Sequence, residues 1–83
     1  MNHVQTELLS VIEIFKDHLP ADQLADMDEL TKVGEPGIAF ENLCTQLYEF
    51  YVSIKPEHLE KLRAIGLSMG ISSKYWERLK DCG

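Results

Sequence analysis

Three histidines, two cysteines and a run of carboxylates are the side chains whose types could do chemistry in this sequence. Histidine and cysteine bind metals when their spacing lets them converge, as in H-E-x-x-H or paired Cys/His motifs. His3, His18 and His58 fall in separate segments and form no such motif. His3 and Glu7 are four residues apart, which places both on one helix face. Near a fraying end, that spacing reads as a solvated pair. Cys44 lies on a helical apolar stripe, where a free cysteine behaves as a small buried hydrophobe. Cys82 stands one residue from the end of the sequence. Two cysteines so far apart, without a secretory signal, read as free thiols rather than as a disulfide framework. The cluster Asp22, Asp26, Asp28 and Glu29 invites a calcium reading. An EF-hand loop, however, needs acids at alternate positions, a central Gly and a terminal Glu. Leu30-Thr31-Lys32, which follow the cluster, do not supply them. With no nucleophile–base pair, carboxylate dyad or metal cluster legible, the sequence predicts no catalytic residue, no cofactor and no metal.

Helices must position whatever these side chains do. Val4, Leu8, Val11, Ile12, Phe15 and Leu19 recur on one helical face, widened by Leu9 and Ile14. They predict a first helix running up to Pro20, since the residue before a proline is pushed out of the α region. Pro20 can also open the next helix, predicted over 20–33 with a narrow stripe of Leu24, Met27 and Leu30 or Thr31. Gly34 is its left-handed stop. Glu35 and Pro36 then occupy N-cap and N1 positions of a third helix over 36–53. Phe40, Leu43, Cys44, Leu47, Tyr51 and Ile54 form its stripe and predict the centre of the core. Glu41, Asn42, Thr45, Gln46, Glu49 and Ser53 lie opposite, and the flanking Tyr48 and Phe50 predict cover on more than one side. Pro56 opens a fourth helix carrying Leu59, Leu62, Ile65 and Met69. Gly66 inside it costs about 1 kcal/mol relative to Ala and marks either a weak spot or a close helix contact. Gly70 and Ile71 fit a Schellman ending, and Ser72 or Ser73 can cap a short last helix holding Tyr75, Trp76 and Leu79. No strand is predicted; Val52–Ile54 reads as helix end. The expected fold is all-α, a compact bundle of four main helices plus a short C-terminal helix, in one domain over residues 1–83.

The chain has 83 residues with 14 acids and 8 bases, a formal charge of −6. That length suits one domain, and 45% hydrophobic with 27% charged residues is a globular composition. The acidity argues against a phosphate-backbone binder, which needs clustered Lys and Arg. As a helix-turn-helix recognition element the third helix also fails, because it shows Glu41 and Glu49 and no Lys or Arg. Lys74, Arg78 and Lys80 make a basic end that a helix C-terminus accommodates without any ligand. The first nineteen residues lack a basic n-region and are interrupted by Glu7, Glu13, Lys16 and Asp17. They predict neither signal peptide nor membrane span, and hence a cytoplasmic protein. The charge is unevenly placed. Residues 1–54 hold ten acids and two bases, a charge of −8, and residues 55–83 hold four acids and six bases, a charge of +2. An acidic face speeds encounter with a basic partner and penalises wrong ones. Acidic surfaces also serve solubility alone. A protein ligand with a basic active site, such as a nuclease, is the natural counterpart.

The stretch from Gly37 to Leu79 resembles the Maf-type bacterial immunity proteins, which also occur beside contact-dependent growth-inhibition toxins. The likeness is carried by Gly37 and Ala39, Glu41-Asn42-Leu43-Cys44 and Gln46-Leu47-Tyr48-Glu49. It continues through Ile54, Pro56-Glu57, Leu62, Gly66, Met69-Gly70 and Tyr75-Trp76. The resemblance implies a cytoplasmic bacterial protein, without catalytic activity or cofactor, that binds and neutralises a toxin domain. That toxin is often a ribonuclease of the EndoU type, at the C-terminal end of a large secreted protein. The expected mechanism is occlusion by a monomer binding its toxin 1:1, with carboxylates taking the place of RNA phosphates opposite the toxin's Lys and Arg. Expected toxin-binding residues are Asp22, Asp26, Asp28, Glu29, Glu35, Glu41 and Glu49, with Tyr48 as an aromatic anchor. Ordinary solvated helix surface remains open for each of these acids, and core packing for Tyr48; Phe50 reads as core. Binding away from the cleft is the other form of the mechanism. A helical adaptor or regulatory subunit for another basic protein is the alternative function, and a small enzyme or metal protein a third.

Overall fold

The computed structural model describes residues 2–81, so Cys82 and its thiol lie outside the described residues. Helix α1 (His3–Ile14) opens on a reciprocal cap. The Gln5 N–H donates to the Asn2 side chain at 2.8 Å, and the Asn2 N–H donates to Gln5 Oε1 at 2.9 Å. The helix ends at Ile14, five residues before Leu19 where the apolar pattern predicted its end. From there the backbone tightens: Phe15, Lys16 and His18 donate to the carbonyls of Ile12, Glu13 and Phe15. Such i→i−3 turns have nearly the helical repeat, so Phe15 and Leu19 stay in the core while Lys16–His18 face solvent. The spacing of apolar residues therefore could not distinguish turn from helix.

Helix α2 (Ala21–Lys32) follows, with Pro20 as its N-cap. It buries Met27 and Thr31 and half-buries Leu24 and Leu30. The fully buried Thr31 hydroxyl donates to the Met27 carbonyl at 2.8 Å, which satisfies it within its own helix. The Thr31 carbonyl accepts from Gln5 Nε2 at 2.8 Å, tying the start of α1 to the end of α2. Gly34 (φ 92°) terminates α2, with the Gly34 N–H donating to the Thr31 carbonyl and the Glu35 N–H to the Leu30 carbonyl. This is a Schellman motif.

Helix α3 (Pro36–Glu49) buries Ala39, Phe40, Leu43, Cys44 and Leu47 and packs against α1 and α2. It stops four residues earlier than residue 53, its predicted end. Tyr51 occupies the left-handed region (φ 52°), its N–H donating to the Tyr48 carbonyl and that of Val52 to the Leu47 carbonyl. The same stop motif thus carries a tyrosine where glycine is the unstrained choice. Left-handed backbone costs a residue with a Cβ about 1–2 kcal/mol. Tyr51→Gly is therefore expected to raise stability by about 1 kcal/mol, read as a higher urea midpoint at unchanged m. Tyr51 is 78% exposed, so little packing is lost. Tyr51→Ala, which keeps the Cβ, is the control and should show no such gain.

The early stop corrects three expectations. Tyr51 leaves the core stripe, and Phe50 is 52% exposed and not a core residue, because both fall beyond the last turn of α3 that other elements cover. Ile54, fully buried, belongs to no helix. Val52, Ser53 and Ile54 alternate buried, exposed and buried, the period of extended chain. There the two-residue strand β1 (Ser53–Ile54) pairs in parallel with β2 (Lys80–Asp81), with Ser53 opposite Lys80 and Ile54 opposite Asp81. This small bridge ties the α3–α4 connection to the end of the described chain.

Helix α4 (Pro56–Ser68) begins at its proline and buries Leu62, Ile65 and Gly66, with Leu59 and Met69 half-buried. Gly70 (φ 69°) closes it; the Ile71 N–H donates to the Gly66 carbonyl at 3.0 Å, and Ile71 folds back onto the core. Short helix α5 (Lys74–Glu77) is preceded by Ser73, whose side chain makes no cap bond. The Ser72 hydroxyl takes that place, accepting from the Lys74 N–H at 3.4 Å. Trp76 on α5 meets Phe40 of α3 edge to face, with centroids 5.9 Å apart, and rests on Gly66 of α4. The described residues form an all-α bundle of four main helices plus a short fifth around one hydrophobic cluster.

Candidate docking surface

Helix α3 is the axis of the candidate surface. Its buried positions leave Ile38, Glu41, Asn42, Thr45, Tyr48 and Glu49 on the outward side, between α2 on one flank and α5 on the other. On α2, Asp22, Asp26 and Glu29 follow one another at steps of four and three, which stacks them on one face. Asp26 and Glu29 line an open groove of about 340 Å³ with Gln23, Leu30, Val33 and, from α3, Asn42. The structure thus brings these two predicted carboxylates together beside α3, with Asp22 one turn before them.

The other predicted residues are dispersed. Asp28 points elsewhere on α2 and holds Lys32 at 2.8 Å. Glu35 precedes the first turn of α3, caps no N–H, and stands roughly 20 Å from Glu49 at the helix's last residue. Glu41, half-buried, faces the α5 flank, where its charge reaches Cys44. Tyr48 also faces α5 and is 46% exposed; the guanidinium carbon of Arg78 lies 4.3 Å from its ring centroid. That contact spans thirty residues and supplies a cation–π attraction.

A second groove, about 400 Å³, lies on that flank and is lined by Thr45, Lys74, Tyr75 and Arg78. Sequence reasoning assigned these cations to a helix C-terminus, and the structure corrects this for Lys74, which is the first residue of α5. The available signal was the four-residue spacing of Lys74 and Arg78, which sets them on one side. A third groove, of about 300 Å³, runs between α1 and α4 past His3, Glu7, Lys61 and Ser68. In it His3 Nε2 and Glu7 Oε1 are 3.7 Å apart, with His3 largely exposed and Glu7 half-buried, a pair at the solvent-facing start of α1 as their spacing predicted.

Cys44 is fully buried, as its place on the apolar stripe predicted. Burial pushes its thiol up to about 12, the Arg78 charge opposes the rise and the Glu41 charge adds to it. A thiol so shifted is a packing residue and not a nucleophile at neutral pH. Among the described residues no group of three or more His, Cys, Asp or Glu side chains could hold a metal ion. None of the described helices is long and apolar enough to cross a membrane. The chain matches no protein-family model and shows no significant likeness to a curated protein or a solved structure.

Proposed function

We propose that this chain is an immunity-type binding protein that docks its α2–α3 surface on the basic RNA-binding cleft of a cognate toxin domain and so inhibits it. One observation carries the reading. Residues 20–49 hold seven acids and one base, a charge equal to that of the whole chain, and none of the seven carboxylates is buried. The single base, Lys32, is already engaged by Asp28. Such a surface steers a basic partner into encounter and offers carboxylates where RNA would present phosphates. The likeness of Gly37–Leu79 to Maf-type immunity proteins supplies the class of partner, a ribonuclease domain of the EndoU type. In this reading the chain is a cytoplasmic ribonuclease inhibitor acting 1:1, without catalysis or cofactor, and Tyr48 contributes exposed aromatic area at the edge of the acidic face.

The test begins with the reading frame immediately upstream: this function expects it to encode a large secreted protein with a nuclease-like C-terminal domain, and that domain is then expressed with this chain. Co-purification with this chain and loss of that domain's RNase activity are the expected results. Charge reversal at Asp26 with Glu29, or at Glu41 with Glu49, is expected to weaken the complex at least tenfold and flatten its salt dependence. If both double variants stay folded and keep the original affinity and salt slope, acidic-face docking is wrong even where immunity holds. A basic protein that co-purifies but has no nuclease activity would favour the adaptor alternative.

A further inference from the structure

The groove between α3 and α5 has the opposite chemistry to the surface beside it. Thr45 offers a hydroxyl from α3, and Lys74, Tyr75 and Arg78 offer two cations and a phenol from the α5 side, around about 400 Å³ of open space. Arg78 is held in place: its guanidinium lies over the Tyr48 ring at 4.3 Å. A guanidinium so close to a ring face gains a cation–π attraction, and its fork of N–H groups can form two in-plane bonds to an oxyanion. Lys74 Nζ is 5.9 Å from the Tyr75 centroid and adds a second, compact charge to the lining of the same groove. Tyrosine and arginine are also the residue types that most often dominate interface energies.

A polyanion does not suit this site. Glu41 stands one turn before Thr45 on α3, Glu77 adjoins Arg78, and the chain as a whole carries −6. A string of phosphates multiplies that repulsion, whereas a single carboxylate meets two cations at the cost of little of it, and of less still when carried on an otherwise basic surface.

We infer that the Thr45–Lys74–Tyr75–Arg78 groove receives one carboxylate, an Asp or Glu side chain, of the same basic protein that covers the α2–α3 face. The basic character of that partner rests on the function proposed above; the affinity of the groove for a carboxylate does not. Neighbouring helices pack 8–10 Å apart, and α2 and α5 lie on opposite flanks of α3. The α2–α3 and α3–α5 grooves are therefore one helix spacing apart, and the partner's carboxylate sits roughly 10 Å from the middle of its basic patch. An acidic face alone accepts a basic patch in many orientations. A cationic groove at one edge fixes the register and rejects basic proteins that lack the matching acid.

The probes are two synthetic peptides and one small molecule, titrated into the ¹⁵N-labelled full chain. Both peptides carry four Lys or Arg residues, then a six-residue Gly/Ser spacer, and they end in Glu-Glu or in Gln-Gln with an amidated C-terminus. The Glu peptide is expected to bind at least fivefold tighter and to move the Arg78 Nε–H and the Thr45 and Tyr75 amide resonances. Lys74→Gln with Arg78→Gln should erase that difference and leave the Gln peptide no weaker. Equal affinities of the two peptides, or unmoved Arg78 and Thr45 resonances, would overturn the inference. Glutarate at matched ionic strength reads the groove alone. If neither peptide binds, the acidic-face reading fails; saturable glutarate shifts at Thr45 and Arg78 then still support the groove, and their absence overturns it.

Discussion

Replacing Gly66 by alanine is expected to lower the stability of this fold by about 2 kcal/mol, the usual cost of overpacking a core. The direction is opposite to intrinsic propensity, since alanine in an exposed helix interior gains about 1 kcal/mol over glycine. The cause is Trp76. A Cβ at position 66 would lie 2.7 Å from Cη2 and 2.8 Å from Cε3 of its ring, with Cζ3 nearer still. The indole cannot retreat freely, because Phe40 meets it edge to face on its other side and it is only 5% exposed. For a domain of this size, 2 kcal/mol corresponds to a fall in Tm of about 10 °C. Urea unfolding followed by tryptophan fluorescence would read it directly, Trp76 being the one tryptophan of the chain. A double-mutant cycle with Trp76→Phe, followed by circular dichroism, isolates the clash: the smaller ring should cost less in the Gly66→Ala background than in the unaltered chain. A stabilised Gly66→Ala variant would mean that α4 and α5 do not approach as described. The substitution also reaches the surface, since Lys74 and Arg78 flank Trp76 and move with it.

Cys44 is expected to react with iodoacetamide at pH 8 about a thousandfold more slowly than an unfolded thiol. With its ionisation pushed up to about 12, the thiolate fraction is reduced by that order, and full burial blocks the reagent as well. A Cys82→Ser background leaves a single thiol to follow, by mass spectrometry with and without urea. Labelling at equal rates in both would refute the burial. The same shift makes stability depend on pH. The folded thiol ionises near 12 and the unfolded one near 9.0, so between these values unfolding releases a proton. The contribution of Cys44 is therefore complete below pH 9 and is lost as pH rises towards 12, by more than about 1 kcal/mol per unit. Comparing the Cys82→Ser chain with and without Cys44→Ala cancels the other groups that titrate at high pH. The stability difference between the two should shrink by about 2 kcal/mol from pH 8 to pH 10.5. A constant difference would exclude the linkage.

The helix stops illustrate how far the chain could be read. Gly34 and Gly70 were legible because glycine is the residue that enters the left-handed region without strain, and both do so. Tyr51 performs the same reversal and was not legible, since nothing local favours a tyrosine there. The end of α1 was misplaced because tight turns and α-helix space apolar residues almost alike. The β1–β2 bridge escaped notice because each strand is two residues long and its partner is more than twenty-five residues away. Gly66 left two readings open, and the ring of Trp76 selects the close contact.

Propensity, capping and apolar period act within about four residues, so the sequence by itself determined an all-α chain, the faces that enter the core and the burial of Cys44. It also determined that residues 20–49 hold seven acids against one base. Which faces of different helices meet is decided by packing between segments far apart in the chain, and no local rule reports that. Only the tertiary structure could therefore place α5 against α3, through Trp76 on Phe40 and Gly66, and lay Arg78 over Tyr48. That docking gives α3 a cationic flank opposite the acidic one supplied by α2, where the sequence alone offered an uneven charge along the chain and a basic end that a helix C-terminus accommodates.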